Sequence, residues 1–275
     1  MTMLATSTNI KLVLQDGVNG HSINEKARPK GSQTLSPEEL GCWRAHANIW
    51  RRIIEENIQT AIILEDDADW DVEVHDIFQD LSVQLRKGTL RREEPTRYEV
   101  AHAPYGLDWD MLYVGTCWNN SPDIRPQSHI YEDSNAPNST EMADAFRREL
   151  EFWEAESLNK TRVRVIAPSW APICTVGYAV TQRGAQKLLY TIGNEGGVEL
   201  ALDLAMAKRI QSGHLRSLTV VPPLITPWKT GTNSDSDIKN LADIGVEYAR
   251  GSENLRRSGR AALAATLGRR IEQEG

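Results

Sequence analysis

Three consecutive acids, Glu65, Asp66 and Asp67, directly follow a short apolar run at positions 61–64. Like charges this close repel one another, and a partly desolvated site strengthens the repulsion. Either solvation in an open loop or a bound cation relieves it. Carboxylate oxygens suit Mg²⁺ or Mn²⁺, which one or two carboxylates often hold together with substrate phosphates. The triplet therefore indicates either a solvated acidic loop or a site for a metal and a diphosphate.

A helix and a strand must position this triplet. Ser36 is a good N-cap, Pro37 suits the first helical position, and Glu39 completes a capping box. Apolar residues then recur at three- and four-residue spacing, which predicts an amphipathic helix that ends at Asn57. These positions are Leu40, Trp43, Ala47, Trp50 and Ile54. The run 61–64 is typical of a strand buried in a parallel sheet, where ligands bind at carboxyl ends. We expect the triplet at the end of a central strand, facing a cleft.

Three blocks of the chain, in order, match the sequence motifs of one protein family. The first block contains Glu39-Leu40-Gly41-Cys42, His46, Trp50 and Leu64-Glu65-Asp66-Asp67. The second contains Gly177-Tyr178-Ala179-Val180, Gly184-Ala185 and Leu188-Leu189, and the closing block is Ser236-Asp237-Ile238 after Pro222-Pro223. Together they resemble glycosyltransferase family 25, the lipooligosaccharide and procollagen galactosyltransferase-like family. The motif sequences are closest to those of the fungal members, and the resemblance runs from about Leu12 to Ile238.

The resemblance implies an α/β fold of the Rossmann-like GT-A type, which is built for nucleotide sugars. The alternation of predicted strands and helices independently favours a mainly parallel sheet with flanking helices. The resemblance further implies a divalent metal, Mn²⁺ or Mg²⁺, and a UDP-sugar donor. It implies inverting transfer of a galactose-like sugar to a hydroxyl of a glycan or glycoprotein acceptor.

Six residues are the candidates for this site. Glu65 and Asp67 are the predicted metal ligands, and Asp66 is expected near the donor ribose or the metal. His46 is a donor-site candidate from the first block, although a helix histidine near a core face is more often structural. Gly177 allows the donor to approach the backbone closely, and packing explains it equally well. Asp203 is the sixth candidate, as the catalytic base.

An inverting transfer needs a base that takes the proton of the acceptor hydroxyl. Asp203 sits where the family places an acid after its second block. Glu199 is the alternative, since a predicted helix over 199–211 puts both acids on one face. An exposed ion-pair partner is the structural alternative for each. Two weaker candidates are Asp69, expected to be a solvated loop acid, and Arg44, which suits either a phosphate or a surface salt bridge.

The start of the chain departs from the family pattern. Residues 9–14 read as a strand, whereas family members carry one earlier strand, ending near an Arg-x-x-Arg pair that forms part of the nucleotide pocket. We therefore expect an N-terminally truncated, single GT-A-like domain over residues 1–249 and a peripheral helical tail over 250–275. Such a chain is expected to be marginally stable or self-associating, with little turnover.

Composition excludes several classes of protein. The net charge of −7 argues against nucleic-acid binding. No run of about twenty apolar residues exists, so no membrane span is expected. Because no convincing signal peptide begins the chain, a cytoplasmic location is the default, and a Golgi or ER lumen is expected if an upstream anchor is missing. Cys42, Cys117 and Cys174 are odd in number and far apart, which predicts buried thiols rather than a disulfide or a zinc site.

Two other functions stay open. The missing first strand motivates a catalytically inactive remnant of the fold that binds a glycan or another partner. A metal-dependent phosphohydrolase would also use acids at a strand end. That function ranks last, because no second cluster of Asp or His accompanies the triplet.

Overall fold

The computed structural model describes residues 1–155, 162–195, 198–230 and 251–274, so the closing block Ser236-Asp237-Ile238 lies outside the described residues. The helices in these ranges are α1 (Thr2–Ser7), α2 (Pro37–Glu55), α3 (Val74–Lys87), α4 (Arg97–His102), α5 (Asp144–Phe152), α6 (Gln182–Tyr190), α7 (Leu202–Gln211) and α8 (Gly259–Glu274). The strands are β1 (Thr60–Leu64), β2 (Ala68–Trp70), β3 (Met111–Gly115), β4 (Trp118–Asn120), β5 (His129–Glu132), β6 (Val163–Pro168), β7 (Ala171–Ile173), β8 (Gly177–Thr181), β9 (Ser217–Val221) and β10 (Ile225–Pro227).

The main sheet has six strands in the order β1-β8-β3-β9-β6-β5. Only the β3–β9 pair is parallel, and the other four pairs are antiparallel. The α/β class with flanking helices is confirmed, whereas the expectation of a mainly parallel sheet is wrong. An apolar run shows that a strand is buried but not which way it points. Here β8 enters between β1 and β3 in the opposite direction to both.

Side chains on the two faces of this sheet build separate cores, because successive residues of a strand point to opposite faces. Along β3, Met111 and Tyr113 join the core under α2, α6 and α7. Leu112 and Val114 join the other core, which contains residues of α1, α3, β2 and β10. On the first face, α5 covers the β6 end of the sheet and forms a third cluster around Phe146.

The start of α2 forms as the sequence predicts. Ser36 Oγ accepts a hydrogen bond from the Glu39 N–H (3.2 Å), and Glu39 Oε2 accepts one from the Ser36 N–H (2.9 Å). This capping box satisfies two backbone donors at the helix start. The helix ends at Glu55, and Asn57 then turns the chain with a φ of 53°.

The predicted strand over residues 9–14 is absent. This segment pairs with no strand among the described residues. Ile10 and Leu12 pack partly against the core, whereas Val13 and Leu14 are each 69% exposed. The alternation that suggested a strand therefore reflects a half-buried extended segment without a ladder of backbone hydrogen bonds.

The C-terminal helix expected in the tail is present as α8, and Leu263 packs against the core that contains α1 and α3. The boundary between a domain over 1–249 and this tail stays a prediction. None of the helices in the described ranges is long and apolar enough to cross a membrane.

A disulfide joins Cys117 to Cys174, so the prediction that these cysteines are buried thiols is wrong. Spacing alone could not show the pair, because 57 positions separate the two residues. The sheet brings them together: Cys117 lies just beyond β3, and Cys174 lies between β7 and β8. Cys42 is a free, half-buried thiol.

Replacing both disulfide cysteines with serine should lower the free energy of unfolding by about 2–4 kcal/mol, because the bond closes a long loop in the unfolded chain. Urea denaturation measures the loss. As a control, reductant should destabilise the wild-type protein to the level of the double variant and leave the variant unchanged. A wild-type protein that keeps its stability under reductant would contradict the assignment.

A buried acid, Glu149 of α5, supports the short β4–β7 ribbon. Its Oε1 accepts a hydrogen bond from Asn119 Nδ2 (3.1 Å), and Asn119 Oδ1 accepts one from the Ala171 N–H (3.1 Å). Burial raises the pKa of Glu149 from 4.5 to about 7, and the bond from Asn119 offsets part of this rise. The folded protein therefore holds a proton on Glu149 that the unfolded chain has already lost at pH 6.

Between about pH 4.5 and pH 7 the folded state binds more protons at Glu149 than the unfolded state does. The free energy of unfolding should therefore fall as the pH rises through this window, by about 3 kcal/mol in total. Glu149→Gln should remove this slope, whereas Glu151→Gln, at an exposed position of the same helix, should keep it. Urea unfolding at the two ends of the window tests both variants. The raised pKa of Asp67 contributes a separate fall in this window, so the result that would refute the assignment is a slope in Glu149→Gln as steep as in the wild-type protein.

Candidate functional site

The acidic triplet begins directly after β1, at its carboxyl end. The Glu65 N–H donates to the carbonyl of Val176 (3.1 Å), which continues the pairing of β1 with β8. In the described sheet β1 is an edge strand, and its Ile62 is 40% exposed. The prediction of a central strand is therefore wrong, while the predicted position at a strand end is confirmed.

Glu65 is held by two donors from different elements. His46 Nε2 on α2 lies 3.0 Å from Glu65 Oε1, and the Thr175 hydroxyl donates to the same oxygen at 2.7 Å. Both contacts use one oxygen of the carboxylate. Glu65 Oε2 accepts no hydrogen bond from the residues that the structure describes, so it is free to contact a ligand.

A buried hydroxyl lies behind His46. The Tyr178 hydroxyl is 2.8 Å from His46 Nδ1 and accepts a hydrogen bond from Trp50 Nε1 at 3.0 Å. Trp50, His46 and Tyr178 are all buried. Sequence reasoning missed Tyr178 and Thr175 as site residues. Tyr178 belongs to the second sequence block and points inward from β8, so its place in that block could have identified it. No sequence feature distinguished Thr175.

Charge separation stabilises the Glu65–His46 pair. Burial disfavours the imidazolium form of His46, but interactions with Cys42 and Glu65 outweigh it and raise the pKa of His46 to about 9. Burial alone would raise the pKa of Glu65, yet the contacts with His46 and Thr175 lower it below its usual value. At neutral pH the pair is an imidazolium facing a carboxylate. The opposite charge on each partner offsets the cost of removing the other from water.

Asp67 stands in a different electrostatic environment from Glu65. Its Oδ1 is buried and has no hydrogen-bond partner within the described ranges. Burial and the charges of Glu65 and Asp66 raise the pKa of Asp67 to about 6, although Lys229 and Arg260 partly oppose the rise. An unpartnered carboxylate oxygen that is costly to ionise is a position where a cation would be stabilising.

Asp66 is the exposed member of the triplet. Its carbonyl oxygen accepts a hydrogen bond from Arg260 Nη2 (2.7 Å), which fixes the backbone rather than the carboxylate. The side chain is therefore open to solvent, beside the half-buried Asp67. Its predicted contact with the donor stays a prediction.

The next two acids hold the C-terminal segment in place. Asp69 is fully buried: its Oδ2 accepts bonds from Ser252 Oγ and Ser258 Oγ, and its Oδ1 accepts the Arg260 N–H (3.0 Å). Asp71 Oδ2 accepts the Arg257 N–H (2.7 Å). The expectation of a solvated loop acid at Asp69 is therefore wrong. Apart from the adjacent Trp70 N–H, the partners of Asp69 lie more than 180 positions away in the sequence, where no local pattern could indicate them.

Asp203 lies at the start of α7, next to the disulfide. Its Oδ2 accepts the N–H of Cys174 (3.0 Å), the residue before Thr175, which contacts Glu65. The structure thus links Glu65 and Asp203 to two consecutive residues of one loop. Glu199 precedes the helix, which begins at Leu202 and not at 199, so the two acids do not share a helix face. Whether Asp203 is the base stays a prediction.

Gly177 lies in β8 beside Leu64, one residue before the acidic triplet. A Cβ atom added at Gly177 would lie 3.0 Å from Ile225 Cβ, which is too close for normal packing. Gly115 is similarly crowded by the Gly177 nitrogen and by the Ile225 carbonyl, both at 2.8 Å. Close packing against β10 thus accounts for the glycine, and its predicted donor contact stays a prediction.

The donor set at the triplet suits a cation that is shared with a substrate. No three His, Cys, Asp or Glu side chains lie close enough to hold a metal ion among the residues described. Glu65 Oε2 and Asp67 Oδ1, however, are carboxylate oxygens that accept no hydrogen bond from any residue in the described part of the chain, and their residues are two positions apart in the sequence. Mg²⁺ is commonly held by one or two carboxylates plus substrate phosphates. The residues present therefore fit a metal that a diphosphate helps to bind.

The predicted cleft at the triplet does not coincide with either of two prominent cavities in the described parts of the chain. One lies between α3 and the β6–β9 strands and is lined by Leu85, Ile166 and Leu218. The other lies beside α2, near Trp43 and Arg44. Neither is lined by Glu65, Asp66 or Asp67.

Replacing Glu65 with glutamine should lower the pKa of His46 from about 9, because burial is then opposed by the contact with Cys42 but no longer by the charge of Glu65. Histidine ring NMR across a pH titration measures the shift. Asp66→Asn removes an exposed acid of the same triplet and should leave the titration of His46 nearly unchanged. Equal shifts in the two variants would contradict a specific Glu65–His46 pair.

Comparisons with known proteins bear on this acidic strand end. Residues 6–104 match the family described as "Glycosyltransferase family 25 (LPS biosynthesis protein)". Procollagen galactosyltransferase 1 of Danio rerio is 24% identical over 161 residues, and procollagen galactosyltransferase 2 of Mus musculus is 22% identical over 162 residues. Each alignment covers 58% of this chain and 18% of the relative.

A further relative, "Probable inactive glycosyltransferase 25 family member 3" of Rattus norvegicus, is 25% identical over 87 residues, or 32% of this chain and 12% of that protein. The chain thus matches only a small part of the length of these relatives. The segment matched by the family contains the capped helix α2, the strand β1 and the acids that follow it. These matches confirm the resemblance carried by the sequence blocks: residues 6–104 of the chain are similar to glycosyltransferase family 25.

Proposed function

We propose that this protein transfers a galactose-like sugar from a UDP-sugar to a hydroxyl of a glycan or protein acceptor, with inversion at the sugar carbon. The observation that carries the proposal is a pair of carboxylate oxygens, Glu65 Oε2 and Asp67 Oδ1, that have no hydrogen-bond partner in the described ranges. They lie at the end of a strand that the family match includes. In the reaction the bond between the sugar and the diphosphate breaks, a bond to the acceptor oxygen forms, and UDP leaves.

A divalent cation, Mn²⁺ or Mg²⁺, would be held by Asp67 and Glu65 and would neutralise charge on the leaving diphosphate. Within the chain, the contacts of Thr175 and His46 with Glu65 Oε1 orient the carboxylate so that Oε2 is presented. The positive charge of His46 keeps Glu65 ionised, which ligation of a cation requires. Asp66, exposed beside them, is the proposed contact with the donor ribose.

The proposed base is Asp203, which would accept the proton of the acceptor hydroxyl. Its link through Cys174 and Thr175 to Glu65 supports a place in the same site. The disulfide restrains Cys174 and thereby the spacing between the two acids. It also supports an oxidising compartment such as the ER or Golgi lumen, where disulfides persist, over the cytoplasm.

An inactive member of the fold that binds a glycan or a partner protein is the second candidate. One relative carries the word "inactive" in its name, and neither prominent cavity is lined by the triplet. This candidate predicts ligand binding that does not require a divalent cation and is not followed by transfer.

Calorimetry with UDP-galactose, with and without Mn²⁺, tests the proposal. Affinity should rise at least about tenfold with Mn²⁺, and Asp67→Asn should abolish most of this gain because it removes a charged ligand of the cation. Asp76→Asn, which neutralises an exposed acid in the first turn of α3, is the matched control and should retain the gain.

Donor hydrolysis and transfer to a procollagen peptide, the acceptor class in the names of the relatives, are measured on the same samples and separate the two candidates. Metal-dependent binding with turnover that Asp203→Asn reduces by about a hundredfold or more supports the transferase, since general bases contribute on this scale. Metal-independent binding without turnover, in a protein shown to be folded by circular dichroism, would favour the inactive member.

A further inference from the structure

A basic groove lies on the side of α2 away from the acidic triplet. Its volume is about 340 Å³, and it is bounded by the loop that carries Lys26 and Arg28, by α2, and by Leu189 and Gly193 at the end of α6 and beyond it. Trp43 and Ala47 form part of the apolar lining. The groove is within the size range of sites that bind small molecules.

The lining residues that the structure describes include four cations and no acid. Lys26, Arg28, Arg44 and Arg51 all line the groove, in a protein whose net charge is −7. Arg51 contacts Glu55 at 3.5 Å, and both side chains are more than half exposed. Lys26, Arg28 and Arg44 make no ion pair or side-chain hydrogen bond with the described residues. The surface salt bridge that the sequence suggested for Arg44 is therefore absent from the described structure.

Unsatisfied donors reach this groove from two elements of the structure. Arg44 and Arg51 are two turns apart on one side of α2, and Lys26 and Arg28 face them from the preceding loop. Three of these four cations have no counter-charge among the described residues, and like charges repel one another, so an anion bound among them would be stabilising. Beneath the groove, Trp43 Nε1 is a further buried donor without a hydrogen-bond partner in the described ranges.

We propose that this groove binds a phosphate or sulfate group carried by a small ligand, with Arg44 and Arg28 as its principal contacts. Guanidinium groups pair with such oxyanions through two parallel hydrogen bonds, which gives the site geometric selectivity. The apolar lining from Trp43, Ala47 and Leu189 would contact the uncharged part of the ligand.

This groove is separate from the proposed metal and donor site. None of its lining residues contacts Glu65, whose partners are His46 and Thr175. On α2, His46 points to Tyr178 in the sheet, whereas Arg44 and Arg51 line the groove. The proposal does not depend on the transferase activity, and its ligand needs no divalent cation.

NMR titration of the whole protein in metal-free, low-salt buffer tests the groove. The probes are inorganic phosphate and inorganic sulfate, followed by glucose 1-phosphate and glucose 6-sulfate, which distinguish a phosphorylated from a sulfated ligand. Saturable shifts are expected at the Trp43 indole N–H, which Trp43→Phe identifies, and at neighbouring amides of α2 and the 26–29 loop.

Arg44→Ala and Arg28→Ala should each weaken binding about tenfold, the effect of losing one charge-assisted contact. The matched control is Arg52→Ala. It removes the same charge from the same helix, but Arg52 pairs with Glu56 at 2.7 Å and does not line the groove. Binding that all three variants weaken equally would show a non-specific effect of net charge. That result, or the lack of saturable shifts near Trp43, would overturn the proposal.

Discussion

The ion pair between Glu65 and His46 is the interaction on which the arrangement of the acidic strand end depends. A carboxylate that directly follows a strand must either face water or accept hydrogen bonds. Glu65 accepts hydrogen bonds from two donors on other elements, His46 and Thr175. His46 is buried on α2 and is held from behind by the Tyr178 hydroxyl, to which Trp50 also donates. One chain of hydrogen bonds thereby joins α2, β1 and β8. The rotation of α2 on the sheet is coupled to the direction in which Glu65 points.

The loop between β7 and β8 extends this constraint to the rest of the site. Thr175 contacts Glu65, and the neighbouring Cys174 binds both Asp203 through its N–H and Cys117 through the disulfide. Cys174 has a φ of 67°, a left-handed conformation that a non-glycine residue rarely adopts. These cross-links hold the loop in that conformation. The positions of Glu65 and Asp203 therefore depend on the short loop between β7 and β8, although neither acid belongs to that loop.

Local sequence signals predicted what local interactions determine. The capping box at Ser36 and the apolar spacing of α2 were sufficient to predict that helix, and the switch from apolar to acidic residues predicted the end of β1. Strand direction, the edge position of β1 and the Cys117–Cys174 bond depend on contacts between distant parts of the chain, which spacing does not encode. The same reason explains Asp69, whose partners lie in the segment 252–260.

The acids between positions 65 and 71 differ in role because their partners differ, although their side chains are nearly the same. Asp69 and Asp71 are saturated by hydrogen bonds from the C-terminal segment and so are structural. The Oε1 atom of Glu65 is held by the buried imidazolium of His46, whereas its Oε2 atom accepts no hydrogen bond from the described residues. Asp67 is half-buried and has a raised pKa, and its buried Oδ1 has no hydrogen-bond partner in the described ranges. In the proposed function, Glu65 and Asp67 would bind a cation that also contacts the diphosphate. Asp69 and Asp71 would keep their hydrogen bonds, because they already anchor the backbone that carries Asp67.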